Sequence, residues 1–266
     1  MPQQRIDSRQ PIVSDHSQSR QVRYLYSRLC AALLALFSLC CIAEERPIRF
    51  SITESGVMPL VDIRHGEAVG GILHDLPMRL AAKIGRPAQL LVMPRLRVQR
   101  ALLHNEIDVR CYVNPGWLSE DYPGYLWSIP FMMQRDLLVG RSPRPTSPDE
   151  LPRQSIGTVL GFSYPTLHTL FMTGKLLRND GRTQGLVLSK LAAGRYEYAI
   201  SNELALHWYN RQSDDAHTLY EVHELARDMA ACLVRDAPDV PTMQLLRAME
   251  EMERDGEFTA ILQRYR

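Results

Sequence analysis

The sequence predicts an α/β protein of two similarly built lobes, each a mainly parallel sheet flanked by helices. Three observations carry this. Short β-rich runs alternate with helically spaced apolar runs from residue 47 to 113, the pattern of a sheet with helices on its faces. The stretch "RSPRPTSPDELP" (141–152) then places four prolines in twelve residues and reads as a connection. The alternation restarts at residue 154, with no fixed-period repeat.

Taken in order, "PIRFSI" (47–52) is a β-rich strand. "GGILHDLPMRLAAKIG" (70–85) sets Ile72, Leu73, Leu76, Leu80, Ala81 and Ile84 at helical spacing and stops at Gly85. "PAQLLVMP" (87–94) is a strand, "RLRVQRALLHN" (95–105) a helix and "IDVRCYV" (107–113) a strand. The next residues turn, with Trp117, Tyr122, Tyr125 and Trp127 close together, and end in the extended "SIPF". In the second half, 154–161 is a strand and 163–174 a helix, followed by helix 186–195, strand 196–201, helix 202–212 and strand 218–224. The stretch 241–265 is one long helix and one short one, divided at Gly256.

The N-terminus reads differently. Residues 1–28 are polar and carry five arginines, and Leu29–Ala43 is apolar throughout. Fifteen apolar residues span only about 22 Å as a helix, short of a ~30 Å bilayer core. A basic lead, a short apolar stretch and a small terminal residue describe a signal peptide over 1–43 and an exported, periplasmic protein. A membrane anchor that stays uncleaved is the alternative. Without those residues the charge is about −2, so nothing points to nucleic acid. Only Cys111 and Cys232 then remain, too few for a disulfide-built scaffold.

Five local patterns, in order, resemble the periplasmic solute-binding proteins of ABC importers, in the group that takes polar amino acids. "GGILHDLPMRLAAKIG" resembles "GfdvDlakaiakklG", with Gly71 and Asp75 in place. "ALLHNEIDV" resembles "aLqsGkiDv", and "IGTVLGFSY" the strand and turn that open the second lobe. "KLAAGRYEYAI" resembles "aLaaGrvDavi", and "MEEMERDGEFTAILQRY" the closing "ikelkkdGtyakilkky". The resemblance covers about residues 46–265. It implies a two-lobed Venus-flytrap fold, with lobe 1 over 46–137 plus 229–266 and lobe 2 over 138–228. It further implies a monomer without cofactor or metal that closes on a small polar ligand, an amino acid or a related organic acid or amine. The partner would be an ABC-importer permease or, alternatively, a membrane sensor.

The resemblance also implies where the ligand sits, in the turns after strand ends. In "ESGVMP" (54–59) the candidates are Glu54 and Met58, the latter a soft apolar wall. Arg97 keeps a subgroup's "P-W-x-R" spacing before Asp108, with Arg95 in place of the tryptophan. Two arginines in a helix's first turn sit at the wrong end of its dipole, so an anion close by is expected, either a ligand carboxylate or Asp62. Solvent exposure is the plainer reading for Arg95. The family's "T-x-x-R" arginine, which forks onto the ligand carboxylate, is absent from "NPGWLSED". Ser119 stands for the threonine, and Trp117 could stack on a flat or cationic ligand. In the second lobe Phe162 and Ser163 are candidates, Ser163 also as a helix cap. Asn202 and Glu203 stand where the family holds the ligand's ammonium. Family topology would place Cys111 and Cys232 on adjacent strands, bridged or as two buried thiols.

An enzyme is not expected. "GFSYP" lacks the second glycine of a nucleophile elbow, and "HELAR" (223–227) lacks the second histidine of a zincin. The remaining enzymatic route is a dehydratase-like activity on this fold. It would need a cleft acid such as Glu54, Glu120 or Glu203.

Overall fold

The computed structural model describes residues 45–118 and 121–265, so the expected signal peptide (1–43), Ser119 and Glu120 lie outside the described residues. The first sheet half contains β1 (Ile48–Thr53), β4 (Ala88–Met93) and β5 (Val109–Val113), with β1 parallel to both others, while β2 (Asp62–Arg64) and β3 (Glu67–Gly70) form a separate antiparallel pair. The second half contains β8 (Gln154–Val159), β9 (Leu176–Gly181) and β10 (Tyr198–Asn202), with β8 parallel to both others. Two long antiparallel strands join the halves. They are β7 (Met132–Gly140) and β11 (Tyr220–Arg235), paired from Met132↔Ala230 to Gly140↔Tyr220. The sheet path is therefore β4-β1-β5-β11-β7-β10-β8-β9, and β6 (Tyr125–Trp127) also lies against β11.

Helices cover both faces. In the first half these are α1 (Ile72–Lys83), α2 (Arg95–Leu103), α6 (Thr242–Arg254) and α7 (Glu257–Gln263). In the second they are α3 (His168–Met172), α4 (Gln184–Ala192) and α5 (Glu203–Gln212). The apolar stripe read from the sequence of α1 is the one buried: Ile72, Leu73, Leu76, Leu80 and Ala81 pack with Ile48, Phe50 and Ile52 of β1. Gly71 precedes α1 at φ 99°, and a Cβ there would lie 2.6 Å from the Val61 Cα, so only glycine fits. Gly256, left-handed at φ 72°, separates α6 from α7 at the expected point. Among the described residues no helix is long and apolar enough to cross a membrane.

The crossing strand β7 has no counterpart in the sequence reading, and three further elements differ from it. Strand 218–224 and the crossing near Cys232 are a single sixteen-residue strand, β11. The edge strand β9, "LLRNDG", exposes its four central residues and so carries no apolar alternation to find. Helix 163–174 shortens to α3, behind a 3₁₀ turn at Pro165–Leu167. The cause is Pro165, which disfavours the helical region at Tyr164 and leaves it at φ −134°. Ser163 therefore caps no helix; Tyr164 and Leu167 hold the cap positions without a side-chain bond.

The motif aspartate of "NEIDV" has a structural role. Asp108 is fully buried beside β5 and accepts hydrogen bonds from Arg46 Nη1 (2.8 Å), Arg49 Nη2 (2.8 Å) and Arg235 Nη2 (3.0 Å). The Arg49 backbone N–H also donates to it, at 2.9 Å. Burial alone would push this carboxyl up, but the hydrogen bonds from Arg49, Arg46 and Arg235 hold it well below the usual carboxylate range.

Cys111 of β5 and Cys232 of β11 are register partners and form a disulfide, with sulfurs 2.01 Å apart. This settles the alternative between a bridge and two thiols. The bridge closes a loop of 121 residues. Replacing both cysteines by alanine is expected to lower stability by about 2–4 kcal/mol, read as an earlier urea midpoint with a steeper slope, because the unbridged unfolded chain exposes more surface. An unchanged midpoint would show that the strand ladder alone fixes this junction.

Candidate ligand-binding site

Where β1, β5, β7 and β10 end or cross, the chain leaves a cavity of about 80 Å³. Its first wall is the turn Ser55–Val57 with Arg95 of α2 and Arg110 of β5. The opposite wall is Phe162–Tyr164, Gln184 and Asn202, and the floor is Gln134 and Asp136 of β7. The two walls meet over it. The Gln184 N–H donates to the Ser55 carbonyl at 3.3 Å, and the Arg95 guanidinium lies 6.0 Å from the Phe162 ring centre.

The polar atoms at this cavity are unusual. Ser55 Oγ, Arg95 Nε, Arg110 Nη1 and Gln134 Oε1 are each buried with no hydrogen-bond partner among the described residues, and all four residues line it. Buried polar atoms are normally paired, so four orphans converging on one cavity single it out as the candidate site. Arg110 is the sharpest case, a guanidinium-bearing residue only 3% exposed. Burial also holds Arg95 below the ordinary arginine value.

Asp136 supplies the opposite charge. Its Oδ1 accepts from Gln134 Nε2 at 2.7 Å. Burial raises its pKa to about 6, the Gln134 bond pulls the other way, and the charge of Asp228 adds to the rise. Tyr112, at φ 61°, lies beside it and is driven well above its usual value by burial, with the Asp136 charge adding to it. Trp117 packs 5.8 Å from the Tyr112 ring, and its indole N–H donates to Asp228 Oδ2 at 3.1 Å. Its indole N–H is thus engaged within the protein.

Of the residues singled out in the sequence, Trp117, Phe162, Ser163 and Asn202 line this cavity. Asn202 Oδ1, however, accepts from the Ala205 N–H at 2.8 Å and so caps α5. Glu203 is turned to the far side of the crossing strands, where it binds Arg135 Nη1 at 2.6 Å. Arg97 is exposed and does not line the cavity, whereas Arg95 does. Two residues advance a helix by about 200°, so the first arginine of α2 faces inward and the second faces solvent. Glu54 is exposed, since its N–H is tied to the Met93 carbonyl and its side chain is turned outward. Val57, not Met58, supplies the apolar wall.

The sequence reading missed Arg110, Gln134 and Asp136. The signal was present: an arginine inside the apolar run "IDVRCYV" and an aspartate inside "MMQRDLLVG". A charge in a buried strand must be paired, neutralised or used.

No protein-family model matches the sequence, and no curated protein does. Solved structures do. An ancestral arginine-binding protein bound to arginine is similar at TM-score 0.68 and 18% identity, covering 83% of this chain and 99% of its own. A histidine kinase sensor domain with similarity to periplasmic binding proteins gives TM-score 0.68, 18% identity, and 84% and 96% coverage. The substrate-binding protein of an amino acid ABC transporter gives 0.65, 15%, and 83% and 99%. The fold is therefore that of the two-lobed periplasmic binding proteins.

Proposed function

We propose that this protein is an exported solute-binding protein. It captures a small carboxylate-bearing molecule, an amino acid or a related organic acid, between its two sheet halves. The carrying observation is Arg110, a buried and unpartnered cation at a cavity lined from both sides. A carboxylate there would receive hydrogen bonds that the protein itself leaves unmade. A ligand that touches both walls stabilises the closed arrangement in preference to an open one, which is what drives hinge closure.

The jaws in this reading are 46–137 with 229–266, and 138–228. In support, both boundaries fall inside the paired crossing strands β7 and β11. Delivery to an ABC-importer permease is the favoured use, supported by the likeness to an amino acid ABC transporter's binding protein. Presentation to a membrane sensor is the second reading, favoured by the likeness to a kinase sensor domain.

The test is a thermal-shift screen of amino acids, polyamines, aromatic acids and dicarboxylates. A compound at 100 times its Kd would stabilise the fold by about 2.7 kcal/mol, which moves Tm by roughly 5–10 °C. If nothing carrying a carboxylate shifts Tm, the reading fails. Chemical conversion of the stabilising compound would replace binding with catalysis.

A further inference from the structure

We propose that the occupant is an amino dicarboxylate, with two anionic groups met by Arg110 and Arg95 and one cationic nitrogen met by Asp136 and Gln134. This rests on the cavity being the ligand site and goes further by fixing the ligand's charges. The cavity carries two guanidinium groups and one carboxylate, none paired with another: no ion pair joins Arg95 or Arg110 to Asp136 among the described residues. A ligand of net charge −1 with both signs present neutralises this set.

Simpler ligands leave charges stranded. One carboxylate would satisfy Arg110 and leave the desolvated Arg95 without an anion. A dicarboxylate without an amine would leave Gln134 Oε1 buried without a donor and face the Asp136 charge. A basic amino acid would add a third cation. Gln134 matters as well as Asp136: its amide N–H is committed to Asp136, so its free oxygen can only accept. Together the two side chains present acceptors to an ammonium group.

The position is also informative. Asp136 pairs in register with Asn202 on one side and Ala226 on the other, within the strand that joins the two halves. The charged and titratable groups around it are Tyr112 of β5, Asp228 of β11 and Tyr164 beyond β8. Arg95 and Arg110 share its cavity, whereas Arg135 of its own strand is turned away and tied to Glu203, Glu221 and Glu224. Asp136 loses its charge as pH falls through about 6, so the preference for an amine fades below that pH.

The experiment is calorimetric titration of the purified protein with L-glutamate, L-aspartate, glutarate, L-glutamine and L-arginine at pH 7.5 and pH 5. L-glutamate or L-aspartate binds tightest, with glutarate and L-glutamine each weaker by at least about tenfold. In Asp136→Asn the advantage of the amino dicarboxylate over glutarate disappears: L-glutamate weakens, while glutarate, relieved of the facing carboxylate, binds at least as tightly as to the wild type. In Arg95→Met L-glutamate falls to the level of L-glutamine. At pH 5 the wild-type gap between L-glutamate and glutarate narrows. Tightest binding by L-glutamine or L-arginine overturns the proposal, as does an Asp136→Asn protein that keeps the gap and melts as a folded protein. Should none of the five bind while another carboxylate raises Tm, the charge assignment fails and the site reading survives. Should no carboxylate bind at all, both fail.

Discussion

Replacing Asp108 by asparagine is expected to destabilise the folded protein by about 3–5 kcal/mol, as when one partner is removed from a buried charge pair. Asparagine keeps the shape but removes the charge on which Arg46, Arg49 and Arg235 converge. Arg46 and Arg49 can turn back to water, since their side chains are 35% and 25% exposed. Arg235, at 9%, cannot, and it keeps only Asp239. The matched control is Asp239→Asn, whose carboxylate is 56% exposed; its loss is worth at most about 1 kcal/mol. The pH dependence has a definite sign. The folded pKa of Asp108 is depressed below the ordinary value of about 3.9, so the contribution is fully present above about pH 4 and is lost as pH falls through the folded value. Urea midpoints of wild type and Asp108→Asn should thus differ most at neutral pH and converge in acid. A midpoint that barely moves at pH 7 would mean that the hydrogen bonds at Asp108 carry little net energy.

Much of the fold is legible in the sequence because burial writes a period into it. Helix α1 announces itself through one apolar stripe, and β1 and β5 through dense β-branched and apolar runs. What stayed hidden lacks that period. β9 is an exposed edge, and β11 changes surroundings along its length, with mostly exposed and half-buried residues before Ala230 and six buried ones from there on. No local pattern tells a reader that such a strand is continuous.

The candidate cavity overlaps the sequence reading only in part, for a similar reason. Turns after strand ends did supply Trp117, Phe162 and Ser163. The charged groups, however, come from within strands and from the first turn of α2, so spacing borrowed from relatives led to Arg97 and Glu203 instead. Asp108 and Arg110 show the difficulty plainly. They are two residues apart, both buried charges in one run, and one is held by three arginines while the other has an unpartnered nitrogen. Sequence can flag both as costly; only coordinates show which cost is met inside the protein.

That contrast makes Arg110→Met the decisive substitution, because the two roles an arginine can have there predict opposite signs. Were Arg110 structural, shortening its polar reach would destabilise the empty protein. Its Nη1 has no partner among the described residues, so methionine removes an uncompensated buried charge at similar length. Replacing buried charge by packed apolar atoms is neutral or stabilising by about 1–4 kcal/mol. The ligand-free Tm should therefore hold or rise, whereas affinity for a carboxylate ligand should fall by about 2–5 kcal/mol, as when one member of a buried charge pair is truncated. Arg97→Met is the internal comparison: exposed and away from the cavity, it should change stability by no more than about 0.5 kcal/mol and leave affinity alone. Melting curves of the three proteins, with and without the compound that most stabilises the wild type, read both quantities at once. A lower empty-state Tm for Arg110→Met with undiminished ligand shift would assign the arginine to the scaffold, and the cavity would lose its anion-binding pole.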